Sequence, residues 1–253
     1  MIAIQGLLYI LLNLLSKDYK EGDITNNLAN ALIEELNCET AFTIPLFGGI
    51  PISETVVVTW IIMAVLLVIS LVLTRNLKVE NPGKIQLALE AFITWIYDFF
   101  DETLGKDNRK YYPYLITVLI YLAFANTIVS FFGFKPPTKD LNMTAALAIM
   151  SMCLIEFSGI TKKGLGGWVK NLAEPVAIVA PINILEIFIR PLSLCMRLFG
   201  NVIGAFIIME LIKFFVPMII PIPFSFYFDI FDGLLQAYIF VFLTAIFMSE
   251  KLE

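Results

Sequence analysis

Five stretches of this chain are too long and too apolar to be buried together inside a water-soluble domain. A helix crosses a bilayer core of roughly 30 Å with about 20 mostly apolar residues. Candidate spans run Thr55 to Thr74, Tyr114 to Phe134, Thr144 to Thr161, Glu174 to Lys213 and Tyr227 to Ser249. A sixth apolar stretch, Lys84 to Leu104, is interrupted by Glu90, Asp98, Asp101 and Glu102, a pattern suited to lying along a membrane surface. Only 15% of the chain is charged and 59% is hydrophobic, against about 25% charged in an ordinary soluble domain. The expected fold is all-α: a polytopic membrane protein with about five transmembrane helices, one surface amphipathic helix and a long C-terminal helix pair.

The pattern divides the chain into an outer-face N-terminal segment, 1–54, and a single transmembrane domain, 55–253. The opening run MIAIQGLLYILLNLL resembles a signal-peptide core but has neither a basic start nor a small-residue cleavage site. It is expected to be a retained interfacial or outer-face helix. Lysine and arginine placement sets the orientation. Arg75, Lys78, Lys84, Lys106, Arg109 and Lys110 fall between the first two spans, and Lys162, Lys163 and Lys170 follow the third. The other side carries Lys17, Lys20, Lys135, Lys139 and Lys213. The positive-inside rule then puts the N-terminus outside and the C-terminus in the cytoplasm.

Several chemistries are excluded. The chain has no histidine, which removes the commonest general base, proton shuttle and transition-metal ligand. Cys38, Cys153 and Cys195 share no metal-ligand spacing, and two of them lie in apolar helices, so neither a disulfide nor a zinc framework is expected. No basic cluster suited to nucleic acid is present, and nothing points to a cofactor. Internal repeats are also absent.

The fourth stretch is anomalous in length: about 40 residues, some 60 Å as continuous helix, roughly twice the hydrocarbon thickness. Pro175, Pro181 and Pro191 are placed to bend it. Deep inside it sits Arg197, some 16 residues before Lys213. A mid-bilayer arginine costs from about 2.5–3.5 to above 10 kcal/mol, so such a residue is a functional hypothesis by default. At about 100° per residue, Asn183, Glu186, Arg190, Ser193, Asn201 and Gly204 fall within roughly 40° of Arg197. Glu186 and Arg190 stand four apart in the favourable acid-before-base order. The stripe either hydrogen-bonds neighbouring helices or carries ions. Arg197 has no acid one turn away, which implies a partner from another chain.

In the fifth span, Asp229, Asp232 and Gln236 fall on one side, both aspartates in its outer part. Pro217, Pro221 and Pro223 are expected to form a hairpin that brings Glu210 toward Asp229. Glu210, Asp229 and Asp232 would then line an outward-facing acidic vestibule; alternatively, Glu210 and Asp229 are solvated by headgroups at the interface. Facing inward, Glu174, Asn183 and Glu186, with Arg190 and Ser193 of the same stripe, are candidates for a second hydrated mouth.

The run Pro191 to Gly204, PLSLCMRLFGNVIG, resembles the signature of subunit a of F-type ATP synthases, the membrane stator beside the rotor ring. KPPTKDLN (Lys135 to Asn142), PINILE (Pro181 to Glu186) and QAYIFVFLT (Gln236 to Thr244) agree with it, in the family's order. The similarity covers about Thr55 to the C-terminus. It implies that Arg197 is the family's essential arginine and that Asn201 and Gln236 are its polar partners. It also implies that the last two helices form a tilted pair along the ring, which accounts for the excess length. The implied partners are the rotor c-ring, the peripheral stalk subunit b, the remaining synthase subunits and membrane lipid. The implied location is the bacterial plasma (inner) membrane, and the implied role is proton or sodium translocation without catalysis.

Two positions depart from the family pattern. Many bacterial members carry an acid nine residues after the arginine, where this chain has Phe206. Some carry a histidine seven before the glutamine, where this chain has Asp229. The outer relay is therefore expected to have moved to Asp229, Asp232 and Glu210. The competing readings are a stand-alone secondary transporter, which would favour an internal repeat, and an intramembrane enzyme, which would favour a histidine, GxSxG or HExxH motif.

Overall fold

Helix formation follows the apolar runs closely. The computed structural model describes residues 40–44, 50–75, 77–79, 82–128, 136–173, 180–215 and 221–252. The expected N-terminal helix, Cys38 and Glu174 lie outside them. Chain order is β1 (Thr40–Ile44), β2 (Ile50–Ser53), α1 (Glu54–Thr74), α2 (Lys84–Leu104), α3 (Tyr112–Ala123), α4 (Leu141–Ala173), α5 (Ala180–Phe215), α6 (Pro221–Phe226) and α7 (Gly233–Leu252). Among the described residues, four helical segments are long and apolar enough to cross a membrane: 54–74, 141–164, 181–209 and 223–252. The expected span from Tyr114 is described as the twelve residues of α3 and five more in a π-helical turn, Phe124–Ile128. Its continuation, 129–135, falls outside the described residues.

Three details differ from expectation. The stretch before α1 holds an antiparallel ribbon, β1 pairing β2 with Thr40 opposite Ser53 and Ile44 opposite Ile50. α4 runs past Thr161 and breaks at Gly164, whose φ of 73° and ψ of 164° belong to a region open mainly to glycine. The last span begins at Pro223, and the helix α6 that opens it at Pro221, both earlier than Tyr227. Pro221 and Pro223 sit inside helical α6, so these two prolines start a helix, where proline's fixed φ is tolerated; the connection expected to turn the chain lies outside the described residues. Pro217 lies outside the described residues.

α2 has the bounds expected of it and buries Ile96, Phe100 and Leu104, spaced four apart on one stripe. That stripe packs on α3 through Tyr112 and on α7 through Phe99, whose ring lies 5.5 Å from Tyr238 and 5.8 Å from Phe242. α2 is thus fastened to the helix bundle along one edge while Phe92 and Trp95 stay exposed.

The α2–α3 corner is closed by Asp101, which accepts hydrogen bonds from Arg109 Nε at 3.0 Å and from the Tyr112 hydroxyl at 2.9 Å. Arg109, ahead of Tyr112 and a nearby Lys106 charge, holds the Asp101 carboxyl below the usual carboxylate range. A depressed folded-state pKa means this contribution is complete above the ordinary aspartate pKa of about 4 and is lost as pH falls through the lowered value. Proteolysis of the 106–111 corner is therefore expected to accelerate only in strong acid. Asp101→Asn should cleave faster at neutral pH and show no such acid step. An equally acid-sensitive Asp101→Asn would refute the assignment.

Two π-helical turns face one another across the bundle: Phe124–Ile128 following α3, and Tyr227–Asp232 preceding α7. They meet at Gly233. A Cβ there would lie 3.2 Å from Asn126 Cβ and 3.3 Å from Thr127 Oγ1, so the helices approach this closely because residue 233 has no side chain. Asn126 Nδ2 reaches the Gly233 carbonyl at 3.5 Å, and Thr138 Oγ1 donates to Asn126 Oδ1 at 2.8 Å.

Candidate functional site

α5 buries Arg190, Leu194, Cys195 and Leu198 against its neighbours, principally α4. The remainder of the helix is open. Only 17% of its membrane-length apolar window, within 181–209, is buried inside the chain. Gly200 and Gly204 have nothing within 4 Å of where a Cβ would stand. A helix this apolar and this uncovered presents its face to lipid or to another polypeptide.

Arg197 sits on this open side, partly buried. Among the described residues it forms neither hydrogen bond nor ion pair. One turn later Asn201 donates its Nδ2 to Gln236 Oε1 of α7. Gln236 is 2% exposed and its Nε2 finds no acceptor. The bond therefore pins α5 to α7 beside the arginine and leaves one buried amide donor unused. Gly200 stands next to Asn201 with open space, so the crossing is roomy on its outer side.

The arrangement of Arg190 is the reverse. Its guanidinium donates to Glu186 at 3.1 Å, as the four-residue spacing requires, and to Glu250 of α7 at 2.7 Å. The Phe247 ring lies 4.7 Å from its central carbon. Arg190 is 7% exposed, whereas both carboxylates are about half exposed. This expected member of the inner mouth is thus held in an ion-pair clasp between α5 and α7, with Glu186 and Glu250 on its wet side. Asn183 is half-buried and already has a partner; Ser193 is exposed. Beside the clasp, Lys251 pairs with Glu156 at 3.3 Å, and Trp168 Nε1 donates to the same carboxylate at 2.7 Å.

On the outer set, Asp232 is partly buried at the end of the π-helical turn that abuts Asn126 and Thr127. Asp229 lies within that turn and Glu210 near the end of α5, but the placement of their side chains falls outside what is described. The π-helical turn also breaks the uniform 100° step that put Asp229, Asp232 and Gln236 on one side.

Sequence reasoning missed Asp140, Asn126, Thr138 and Glu250. Asp140 had a readable signal: an aspartate immediately before an apolar helical run is an N-cap. Its Oδ1 accepts the Asn142 N–H at 2.9 Å, and its Oδ2 accepts from Thr55 Oγ1 at 2.8 Å, joining α1 to α4. Glu250 had none, because it meets Arg190 from 60 residues away.

Comparison with known proteins places this geometry. The family model for the ATP synthase A chain matches residues 56–249. ATP synthase subunit a of Moorella thermoacetica is 36% identical over 203 residues, covering 80% of this chain and 92% of that protein. The sodium ion specific ATP synthase subunit a of Propionigenium modestum is 32% identical over 220 residues, covering 81% and 75%. ATP synthase subunit a 2 of a Bradyrhizobium strain is 35% identical, covering 80% and 90%. An all-α polytopic chain, matched over most of its length and carrying an arginine on an uncovered helix, belongs to the ATP synthase A chain family, the subunit a of the F-type enzyme.

Proposed function

We propose that this chain is the ion-translocating stator of its synthase, with Arg197 facing a carboxylate on each subunit of a rotor c-ring. The observation that carries the reading is Arg197 itself: an unpaired guanidinium among the described residues, on a helix whose membrane-length apolar window is only 17% buried, beside two glycines with empty space. A carboxylate turning through lipid must be neutral, because an exposed charge in hydrocarbon is too costly. Opposite a guanidinium the ionised form is favoured. Arginine stays protonated throughout, so it displaces the ion without carrying it and blocks a direct leak between the two sides.

Ions then arrive through an outer half-channel lined by Glu210, Asp229 and Asp232, ride the ring, and leave through an inner one near Glu174, Asn183, Glu186 and Ser193. Asn201 and Gln236 hold the crossing at which the two meet. Voltage contributes about 2.3 kcal/mol per charge per 100 mV, which drives rotation. No bond is made or broken in this chain, so its role is non-catalytic. The segment 1–54 lies on the outer face, 55–253 forms one translocating domain, and the C-terminus lies in the cytoplasm of a bacterial cell. The peripheral stalk subunit b holds the chain against the ring's drag.

Purification in mild detergent is expected to bring a rotor ring and stalk with this chain; a stand-alone transporter would purify without them. In the reconstituted complex, Asp229→Asn, Glu210→Gln and Asp232→Asn are each expected to slow uptake from the outer side severalfold at limiting ion, and less at saturation. If all three leave that flux unchanged, the outer relay is misassigned. ATP-driven sodium-22 accumulation that resists a protonophore would identify the coupling ion as sodium.

A further inference from the structure

The loop between α3 and α4 carries an unusually well-fixed lysine. Pro136–Asp140 is a short 3-10 turn, with Lys139 N–H donating to the Pro136 carbonyl at 3.0 Å and Asp140 N–H to the Pro137 carbonyl at 3.1 Å. The residues flanking Lys139 are both buried, Thr138 at 2% exposure and Asp140 at 4%. Thr138 is tied to Asn126, and Asp140 is tied to Thr55 and Asn142. The backbone of Lys139 is therefore clamped from both sides, unlike that of a free surface lysine. Its ammonium lies 5.1 Å from the centre of the Phe206 ring, nine residues beyond Arg197 on α5. A cation over an aromatic face is attracted by the ring's negative quadrupole, which holds the side chain as the turn holds its backbone.

The location gives this charge a task. The turn that carries Lys139 contacts α5 and the Phe124–Ile128 turn, which in turn contacts the Tyr227–Asp232 turn. Glu210 is one helical turn past Phe206 on the same side of α5, and Asp232 ends the facing π-helical turn. The turn that carries Lys139 is thus packed at the level of α5 one turn before Glu210, and on the Phe124–Ile128 turn that borders the Tyr227–Asp232 turn.

We propose that Lys139, held over Phe206, is a specificity-determining residue of the outer entrance: a fixed positive charge that lowers the occupancy of that entrance by the transported cation. The inference rests on the stator reading above. The sign does not depend on whether an acid shares the ammonium. Removing the cation either removes a repulsion or frees a carboxylate, and both raise cation occupancy.

The test uses the whole complex in proteoliposomes, with ATP synthesis driven by an imposed potential. The half-saturating ion concentration on the outer side is measured for protons at fixed sodium, and for sodium at fixed pH. With one charge at roughly 10 Å in a partly aqueous site, Lys139→Met is expected to lower half-saturation for the coupling ion about threefold to tenfold. Lys139→Glu should lower it further, and Lys139→Arg should leave it near the wild-type value. Maximal rates should change little, and the differences should shrink at high ionic strength. A lysine that merely packs would alter maximal rate without this charge order. Where a Lys139 variant fails to assemble, Phe206→Leu carries the test, with a smaller shift in the same direction expected. Equal half-saturation across the assembled variants overturns the role of Lys139. Coupled pumping that survives Arg197→Ala overturns instead the stator reading beneath it.

Discussion

Replacing Arg197 by alanine is expected to abolish coupled ion pumping while the complex still assembles. The guanidinium has no partner among the described residues, so its removal strands none of the described carboxylates and creates no large packing defect on a face already open. What is lost is its effect on the rotor. At about 4 Å and an effective dielectric near 20, the attraction between a guanidinium and a carboxylate is about 4 kcal/mol. That corresponds to about three pKa units. Without it, ion release from the ring at the stator is slowed by about a thousandfold, enough to stop turnover. The two half-channels also lose the charge that separates them, so passive leak rises as pumping falls. Arg197→Lys is expected to recover little, because an ammonium lacks the planar two-pronged donor geometry and loses its proton more readily when desolvated. The measurement is ATP-driven uptake into vesicles bearing the assembled complex, alongside passive leak with ATP absent. An alanine variant that pumps at even a tenth of the normal rate would be incompatible with the proposed role.

The second large effect lies at the other end of α5 and should be strongly non-additive. Arg190 is buried and shared between Glu186 and Glu250, each about half exposed. Glu186→Gln or Glu250→Gln alone leaves one carboxylate on the guanidinium, and each exposed acid costs little to remove. A cost below about 1 kcal/mol is expected for each single change. The double substitution leaves a buried cation beside the Phe247 ring with neutral amides in place of both carboxylates, and leaving a buried charge uncompensated costs about 3–5 kcal/mol. A double-mutant cycle on thermal survival of the complex in detergent should therefore give an interaction energy of more than about 1.5 kcal/mol. Additive singles would mean that the two carboxylates do not back each other up. If the clasp also sets how α7 leans on α5, the double variant should lose coupling efficiency before it loses assembly.

Much of the architecture was legible because lipid is a demanding solvent. With no water to satisfy backbone groups, a spanning segment must be helical and mostly apolar, so length and hydropathy alone located these helices, though not always their ends. α2 was readable for the opposite reason, since its acids marked it as a surface helix; the stripe it buries emerged only in the structure. The break at Gly164 and the start of α6 at Pro221 were not, because each depends on a backbone conformation that a glycine or proline permits without requiring. In the site, Arg197 was conspicuous as a lone charge, and the Glu186–Arg190 pair followed from helical spacing. The Asn201–Gln236 bond, the contact of Glu250 with Arg190, and the seat of Lys139 on Phe206 all join elements distant in sequence. Periodicity within a single element carries no information about such contacts.

The widened turns on either side of Gly233 leave slack in two neighbouring helices at one level of the bundle. A regular helix transmits rotation rigidly, so turning one end turns the other by the same angle. A helix containing such a turn is phased in two independent halves. Gln236 can stay fastened to Asn201 while the aspartates before the turn settle around their axis to suit whatever water or ion they meet. A single deleted residue there should be absorbed by restoring the ordinary pitch, whereas the same deletion between Gly233 and Gln236 would swing that amide out of reach.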